Sequence, residues 1–305
     1  MAHSHVALDA RRADSGRRMW IALAINGALL AATIVGGILT GSLALLADAG
    51  HLLSDLGAIA LGLFAVAIAA RPAGPRRTFG FQRTEVLVAL ANGVTLVAIG
   101  VAIVIAAIGR LSDPPDVEGV GVVVLGVVGL AGNLAATWVL ARGGRDDLNL
   151  EGVLRHSLAD ALGSVGVVVS GTVILATDWI LIDPLASLVI AALILASSWR
   201  LISEPVNVLM ESAPAGIDPE AVGREICSLE HVRAVHELHL WTVTSGFNAL
   251  AAHVVVAQGA DRDLVRRTAE HHLGERFGVE HTTLQMEEEA GEELLEVERT
   301  VEAGS

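Results

Sequence analysis

Six apolar stretches alternate with short polar breaks over the first two thirds of the chain. They run from about Trp20 to Thr40, Leu43 to Ala70, Thr84 to Ile108, Val117 to Ala141, Leu150 to Ala176 and Pro184 to Ile202. A helix needs about 20 apolar residues to cross the roughly 30 Å hydrocarbon layer, and each stretch meets that length. The breaks are rich in turn residues: Gly41-Ser42, Arg71-Pro72-Ala73-Gly74-Pro75-Arg76-Arg77, Asp113-Pro114-Pro115-Asp116, Arg142-Gly143-Gly144-Arg145-Asp146-Asp147 and Asp178-Trp179. The pattern predicts six transmembrane helices.

Beyond residue 203 the periodicity changes. Asp218–Leu229 reads as a helix started by Asp218-Pro219. Val232–Val243 and Phe247–Val256 are β-rich and flank Thr244-Ser245-Gly246, which predicts a hairpin. Asp261–Phe277 is an amphipathic helix capped by Asp261 and ended by Gly278, and His281–Glu287 reads as a last strand. The fold class is therefore an α-helical membrane protein with a C-terminal αββαβ domain. The expected divisions are a polar tail at 1–18, a six-helix domain at 19–203, the α/β domain at 204–287 and an acidic, frayed tail at 288–305.

Composition sharpens this division. The chain has 305 residues, 53% of them hydrophobic, with 32 Gly and 8 Pro, as closely packed membrane helices require. Residues 1–203 hold 13 Arg and 14 acidic residues; residues 204–305 hold 7 Arg and 20 acidic residues. The nearly neutral part suits a bilayer. The acidic part argues against nucleic acid as a partner and suits cations. One cysteine, Cys227, excludes an intramolecular disulfide and a Cys-based zinc cluster.

Arginines set the expected orientation. The N-terminal tail and the breaks after stretches two and four hold Arg11, Arg12, Arg17, Arg18, Arg71, Arg76, Arg77, Arg142 and Arg145. The other breaks hold only Arg110. The positive-inside rule then puts both termini in the cytoplasm of a cell (inner) membrane protein. The tail has no small-residue cleavage site after a short apolar core, so it reads as cytoplasmic, not as a signal peptide, and His3 and His5 as part of a disordered tail.

Two phrases carry the chemistry. One holds His51 and Asp55, the other His156 and Asp160. Residues four apart share a helix face, so each phrase points an imidazole and a carboxylate the same way. An ionisable side chain at membrane depth costs about 2.5–3.5 kcal/mol, so these four need a reason to be there. A buried ion pair would explain one phrase. Two phrases of equal order and spacing favour a tetrahedral N2O2 site for a zinc-like ion. Ligands must be deprotonated, which makes proton-for-metal exchange natural for an imidazole of pKa about 6.5. Asp48 lies one turn before His51. It is read either as a group that passes protons or receives the ion near the outer mouth, or as a solvated helix end. Asn26, Asn92 and Asn133 fall within spans, where hydrogen bonding between helices is expected. An intramembrane hydrolase would need a general base such as His-Glu-x-x-His, which the chain lacks, so no enzymatic activity is expected. A metal sensor would not need a complete intramembrane site.

The chain resembles the cation diffusion facilitators, zinc/proton antiporters, over nearly its whole length. The resemblance is carried by Leu45-Leu46-Ala47-Asp48-Ala49-Gly50-His51-Leu52-Leu53-Ser54-Asp55, by Arg77-Thr78-Phe79-Gly80-Phe81-Gln82-Arg83-Thr84-Glu85 and by Asn149-Leu150 ahead of His156. It continues in Val235-His236-Glu237-Leu238-His239-Leu240-Trp241 and His281-Thr282-Thr283-Leu284-Gln285-Met286-Glu287. It implies a metallochaperone-like cytoplasmic domain, a homodimer, alternating access, and Zn2+ as substrate held by His51, Asp55, His156 and Asp160. With His at position 51 it implies zinc preference over cadmium or manganese. It also implies dimer-interface metal sites in the cytoplasmic domain that draw on His236, His253, His281 and Glu287, where a structural histidine is the competing reading and Gln285, standing where some relatives place a His, weakens one ligand. His239 is expected to pack beside Trp241, and His271 and His272 to lie on a helix surface. Arg83 and Glu211 are expected to pair between the two parts. Residues 71–81 lack His and Asp and residues 142–149 lack His, so no metal is expected at either loop.

Overall fold

The computed structural model describes residues 21, 23–141, 150–279 and 281–288, and their side chains except at 139–141 and 150–159. His3, His5, the acidic tail from residue 289 and the 142–149 loop lie outside the described residues. The chain forms two compact units, residues 1–205 and 206–305.

Among the described residues, six helices are long and apolar enough to cross a membrane: α1 (Leu23–Thr40), α2 (Leu43–Ala69), α3 (Thr84–Ser112), α4 (Gly119–Ala141), α5 (Leu150–Thr177) and α6 (Ile182–Leu209). Their number and order are those predicted. Two ends differ. Helix α3 runs past Ile108 to Ser112, with Arg110 in its last turn. Helix α6 continues through Pro205 for about two turns beyond Ile202. Proline removes one backbone donor without ending this helix. Buried small and branched side chains form the core, among them Ala44 and Leu45 of α2, Leu96 and Ile103 of α3, Val122 of α4, Val167 of α5 and Ile190 and Ile194 of α6.

One polar knot ties the helix ends together. Asp183, at the start of α6, is fully buried. Its carboxylate accepts from Ser42 Oγ at 2.6 Å, from Leu43 N at 2.7 Å and from Ala44 N at 3.3 Å. The first backbone N–H groups of a helix have no partner within it, and its N-terminus carries partial positive charge. Asp183 supplies what α2 lacks there, while Ser42 Oγ also caps Leu45 N at 3.2 Å. Arg110 Nη1 lies 3.7 Å from Asp183 Oδ2 and donates to the Gly41 carbonyl. Gly41 has a left-handed backbone (φ 72), and a Cβ there would stand 2.6 Å from the Asp116 carbonyl oxygen.

The second unit is α7 (Pro219–Cys227), β1 (Val232–Thr244), β2 (Phe247–Val256), α8 (Arg262–Phe277) and β3 (His281–Glu288), the predicted αββαβ order. Asp218 and Asp261 cap the two helices, and Gly278 ends α8 in the left-handed conformation. Strands β1 and β2 pair antiparallel through a Ser245-Gly246 turn. Strand β3 pairs parallel with β2, giving sheet order β1-β2-β3. A parallel neighbour needs a long crossover, which α8 supplies. Helices and sheet bury Val222, Ile226, Leu250, Val254, Val265 and Leu273 between them.

Candidate metal centre

Helix α2 starts at its Ser42 cap and reaches His51 and Asp55 after two turns, on one face. Helix α5 packs against it and brings up Asp160. One ligand atom each from His51, Asp55 and Asp160 lie within 4.8 Å of one another. Their side chains are 16%, 19% and 13% exposed. His51 Nε2 is 2.8 Å from Asp160 Oδ1 and 3.9 Å from Asp55 Oδ2. Around a tetrahedral zinc at about 2.0–2.2 Å from each donor, ligand atoms sit about 3.3 Å apart. The two distances bracket that value. The fourth expected ligand, His156, lies in α5 one turn before Asp160; its side chain is outside the described residues.

The 2.8 Å contact has a chemical reading. The hydrogen bond places one proton between His51 Nε2 and Asp160 Oδ1, held by one or the other according to the ring's tautomer. A metal ion would need the Nε2 lone pair. Proton and metal therefore exclude one another at Nε2.

Asp48 is buried, which corrects the solvated-helix-end reading. Its carboxylate and His51 face a cavity of about 240 Å³ bounded by Gly163 of α5 and by Ile190, Ile194 and Ser197 of α6. A Cβ at position 163 would stand 3.1 Å from Asp48 Oδ1, so a side chain there would press on the carboxylate. Around the site, Ser54 Oγ donates to Asn92 Oδ1 at 3.2 Å and Asn133 Nδ2 to Ser164 Oγ at 3.3 Å. Asn92 and Asn133 thus make the interhelical bonds predicted of them.

In the second unit the strands gather His236, His253 and Glu287. His236 and His253 face each other across β1 and β2, and Glu287 accepts from both, at 3.1 Å from His236 Nε2 and 2.7 Å from His253 Nδ1. His281 does not join them. It pairs with Ala249, four positions along from the His253–Gln285 register, about 13 Å at strand spacing. It packs edge-on against Phe247 instead, with ring centroids 5.6 Å apart. Glu237 does join: the irregular register between His236 and His239 holds it at φ 49, and its Oε2 lies 3.5 Å from His253 Nε2. Glu237 lies within the Val235–Trp241 motif, but the motif does not single it out as a ligand, because the bulge that turns it is a matter of strand register. Gln285 Nε2 donates to Glu287 at 2.8 Å, so it braces the carboxylate. His239 is exposed and not packed as expected, again because the bulge shifts β1's alternation. His271 is on the surface, but His272 is half-buried, with Nδ1 2.8 Å from Glu225 Oε1. Glu225 also accepts from Arg276 at 2.6 Å. Arg83 stands just before α3 with no side-chain capping bond and Glu211 follows α6, each described within its own unit.

The hydrogen bonds from His236, then His253, hold the Glu287 carboxyl below the usual range. A depressed pKa adds stability that is present above the unfolded value of about 4.3 and lost as pH falls through the folded value. The thermal midpoint of the second unit should therefore drop as pH falls below about 4.3, and Glu287→Gln should flatten that drop. Parallel melting curves for parent and variant from pH 5 to 3 would contradict this.

The family model of the cation efflux transmembrane domain matches residues 19–210, and that of the cation efflux protein cytoplasmic domain matches residues 214–289. The chain belongs to the cation diffusion facilitator family. This facilitator is 40% identical over 261 residues to the cadmium, cobalt and zinc/H(+)-K(+) antiporter of Bacillus subtilis (strain 168), covering 84% of each chain. It is 37% identical over 288 residues to zinc transporter ZitB of Escherichia coli (strain K12), covering 94% of this chain and 92% of that one. It is 38% identical over 272 residues to the metal cation efflux system protein CzcD of Cupriavidus metallidurans, covering 89% and 86%. The facilitator is thus a multi-pass membrane transporter for metal-cation efflux, not an enzyme, and its second unit is the family's cytoplasmic domain.

Proposed function

We propose that this facilitator exports zinc from the cytoplasm in exchange for protons, through a site made by His51, Asp55, His156 and Asp160. The observation that carries the reading is the convergence of His51, Asp55 and Asp160 donors within 4.8 Å between two membrane-spanning helices. Two nitrogens and two carboxylates suit zinc and neutralise its charge at a depth where bare charge is costly. Zinc in the names of the Bacillus and Escherichia relatives, and H(+) in the former, support the cargo and the counter-ion. Cytoplasmic zinc displaces the proton on His51, the helices rock, and outside protons displace the zinc. Both termini lie in the cytoplasm, with 1–18, 19–203, 204–287 and 288–305 as tail, transport domain, α/β domain and tail. Asp48, in the cavity beside His51, passes protons or the leaving ion. Two copies pair, and His236, His253 and Glu287 bind a regulatory zinc. Arg83 and Glu211 couple the two parts by charge.

Zinc uptake by proteoliposomes tests the exchange. With an acid lumen, uptake should rise several-fold over vesicles at equal pH and fall back when an ionophore dissipates the gradient. Uptake indifferent to the gradient would remove the proton; absence of zinc uptake under every condition would remove the cargo.

A further inference from the structure

The segment joining α2 to α3, residues 70–83, holds Arg71, Arg76, Arg77 and Arg83 and no acidic residue, in a chain of formal net charge −14. Helix α2 ends at Ala69 and α3 begins at Thr84, both membrane-spanning, so the segment lies at a bilayer surface. It has a built shape. Gly74 and Arg77 exchange backbone hydrogen bonds at 3.1 and 2.9 Å, and Gly80 N donates to Arg77 O at 2.9 Å. The Arg77 guanidinium lies 4.3 Å from the Phe81 ring centroid, which fixes its position without cancelling its charge. Arg71, Arg76 and Arg77 are exposed, and none pairs with a carboxylate among the described residues. Arg76, Arg77 and Phe81 border a hollow of about 550 Å³ with Pro72, Gly74 and Pro75. Phe79, an exposed aromatic side chain, stands two residues on from Arg77.

We propose that this hollow binds the phosphate headgroup of an anionic phospholipid. Guanidinium groups fork onto phosphate oxygens, and a rigid proline-glycine loop holds two of them at headgroup level. Phe79 adds an apolar contact of the kind aromatic residues make at membrane interfaces. A zwitterionic lipid offers the same phosphate, but its ammonium repels the arginines. The bound lipid holds the α2–α3 hairpin at one depth, and with it the helix that carries His51 and Asp55.

The test is native mass spectrometry of the full-length transporter in mixed micelles containing phosphatidylglycerol or phosphatidylcholine. Each juxtamembrane Arg is worth about fivefold in affinity for an anionic lipid. The parent should retain phosphatidylglycerol over phosphatidylcholine, and Arg76→Gln/Arg77→Gln should lower that retention about 25-fold. Arg76→Gln alone, which leaves the Arg77–Phe81 stack intact, should lower it about fivefold, and Arg76→Lys should restore part of it. Arg200→Gln, at an exposed helix position paired with Glu204, should change nothing. Equal retention by parent and double variant would overturn the proposal. Displacement of the lipid by millimolar inorganic phosphate would also overturn it, by making the hollow a site for the free anion.

Discussion

Asp160→Ala should lower zinc flux into proteoliposomes at least about 70-fold, with the protein still folded and inserted. In the proposed site two carboxylates would balance a divalent ion between α2 and α5. Removing one leaves a net charge at membrane depth, where an uncompensated charge costs about 2.5–3.5 kcal/mol. At 1.36 kcal/mol per decade, that is a loss of about 70- to 370-fold before any loss of coordination is counted. Asp160→Asn separates the causes. It keeps an oxygen for His51 Nε2 to donate to, so the 2.8 Å contact survives, but it removes the charge. Flux at the parental rate in either variant would mean that zinc crosses elsewhere. Tryptophan emission from the folded protein, which has five such residues, provides the check on folding.

The largest effect on stability should come from Asp183→Ala. The residue is nowhere near the ligands, but its carboxylate receives Ser42 Oγ and the N–H groups of Leu43 and Ala44, with Arg110 3.7 Å away. Truncation leaves the first donors of α2 without their acceptor and the largely buried Arg110 guanidinium without its carboxylate. Breaking such a buried pair costs about 3–5 kcal/mol. The detergent-solubilised variant should melt well below the parent, and Asp183→Asn, which keeps one acceptor oxygen, should fall between them. A midpoint within a degree of the parent would show that the knot contributes nothing.

Much of this architecture was legible in the sequence, and the exceptions share a cause. Span length and hydropathy are local properties, and so are the caps Asp218, Asp261 and Gly278; each could be read from neighbouring residues. The i, i+4 spacing of His51 with Asp55 and of His156 with Asp160 is local too. Asp183 was not legible as a cap, because the helix it caps begins about 140 residues earlier. Read alone, Asp183 was merely the polar residue before Pro184 at the edge of a span. Glu237 escaped for a related reason. Alternation along β1 assumes an unbroken ladder, and the irregular register after His236 breaks it, bringing Glu237 in and leaving His239 in solvent. Within one chain His281 stands four register positions from Gln285, a separation along the strand that the linear order does not give.

The proton shared by His51 and Asp160 has a consequence for the empty carrier. A transporter that turns over without cargo dissipates the gradient that drives it. If His51 and Asp160 belong to the proposed site, their 2.8 Å hydrogen bond would hold α2 to α5 until an ion replaces it. Coupling tightness and cargo affinity should then rise and fall together when position 51 is changed.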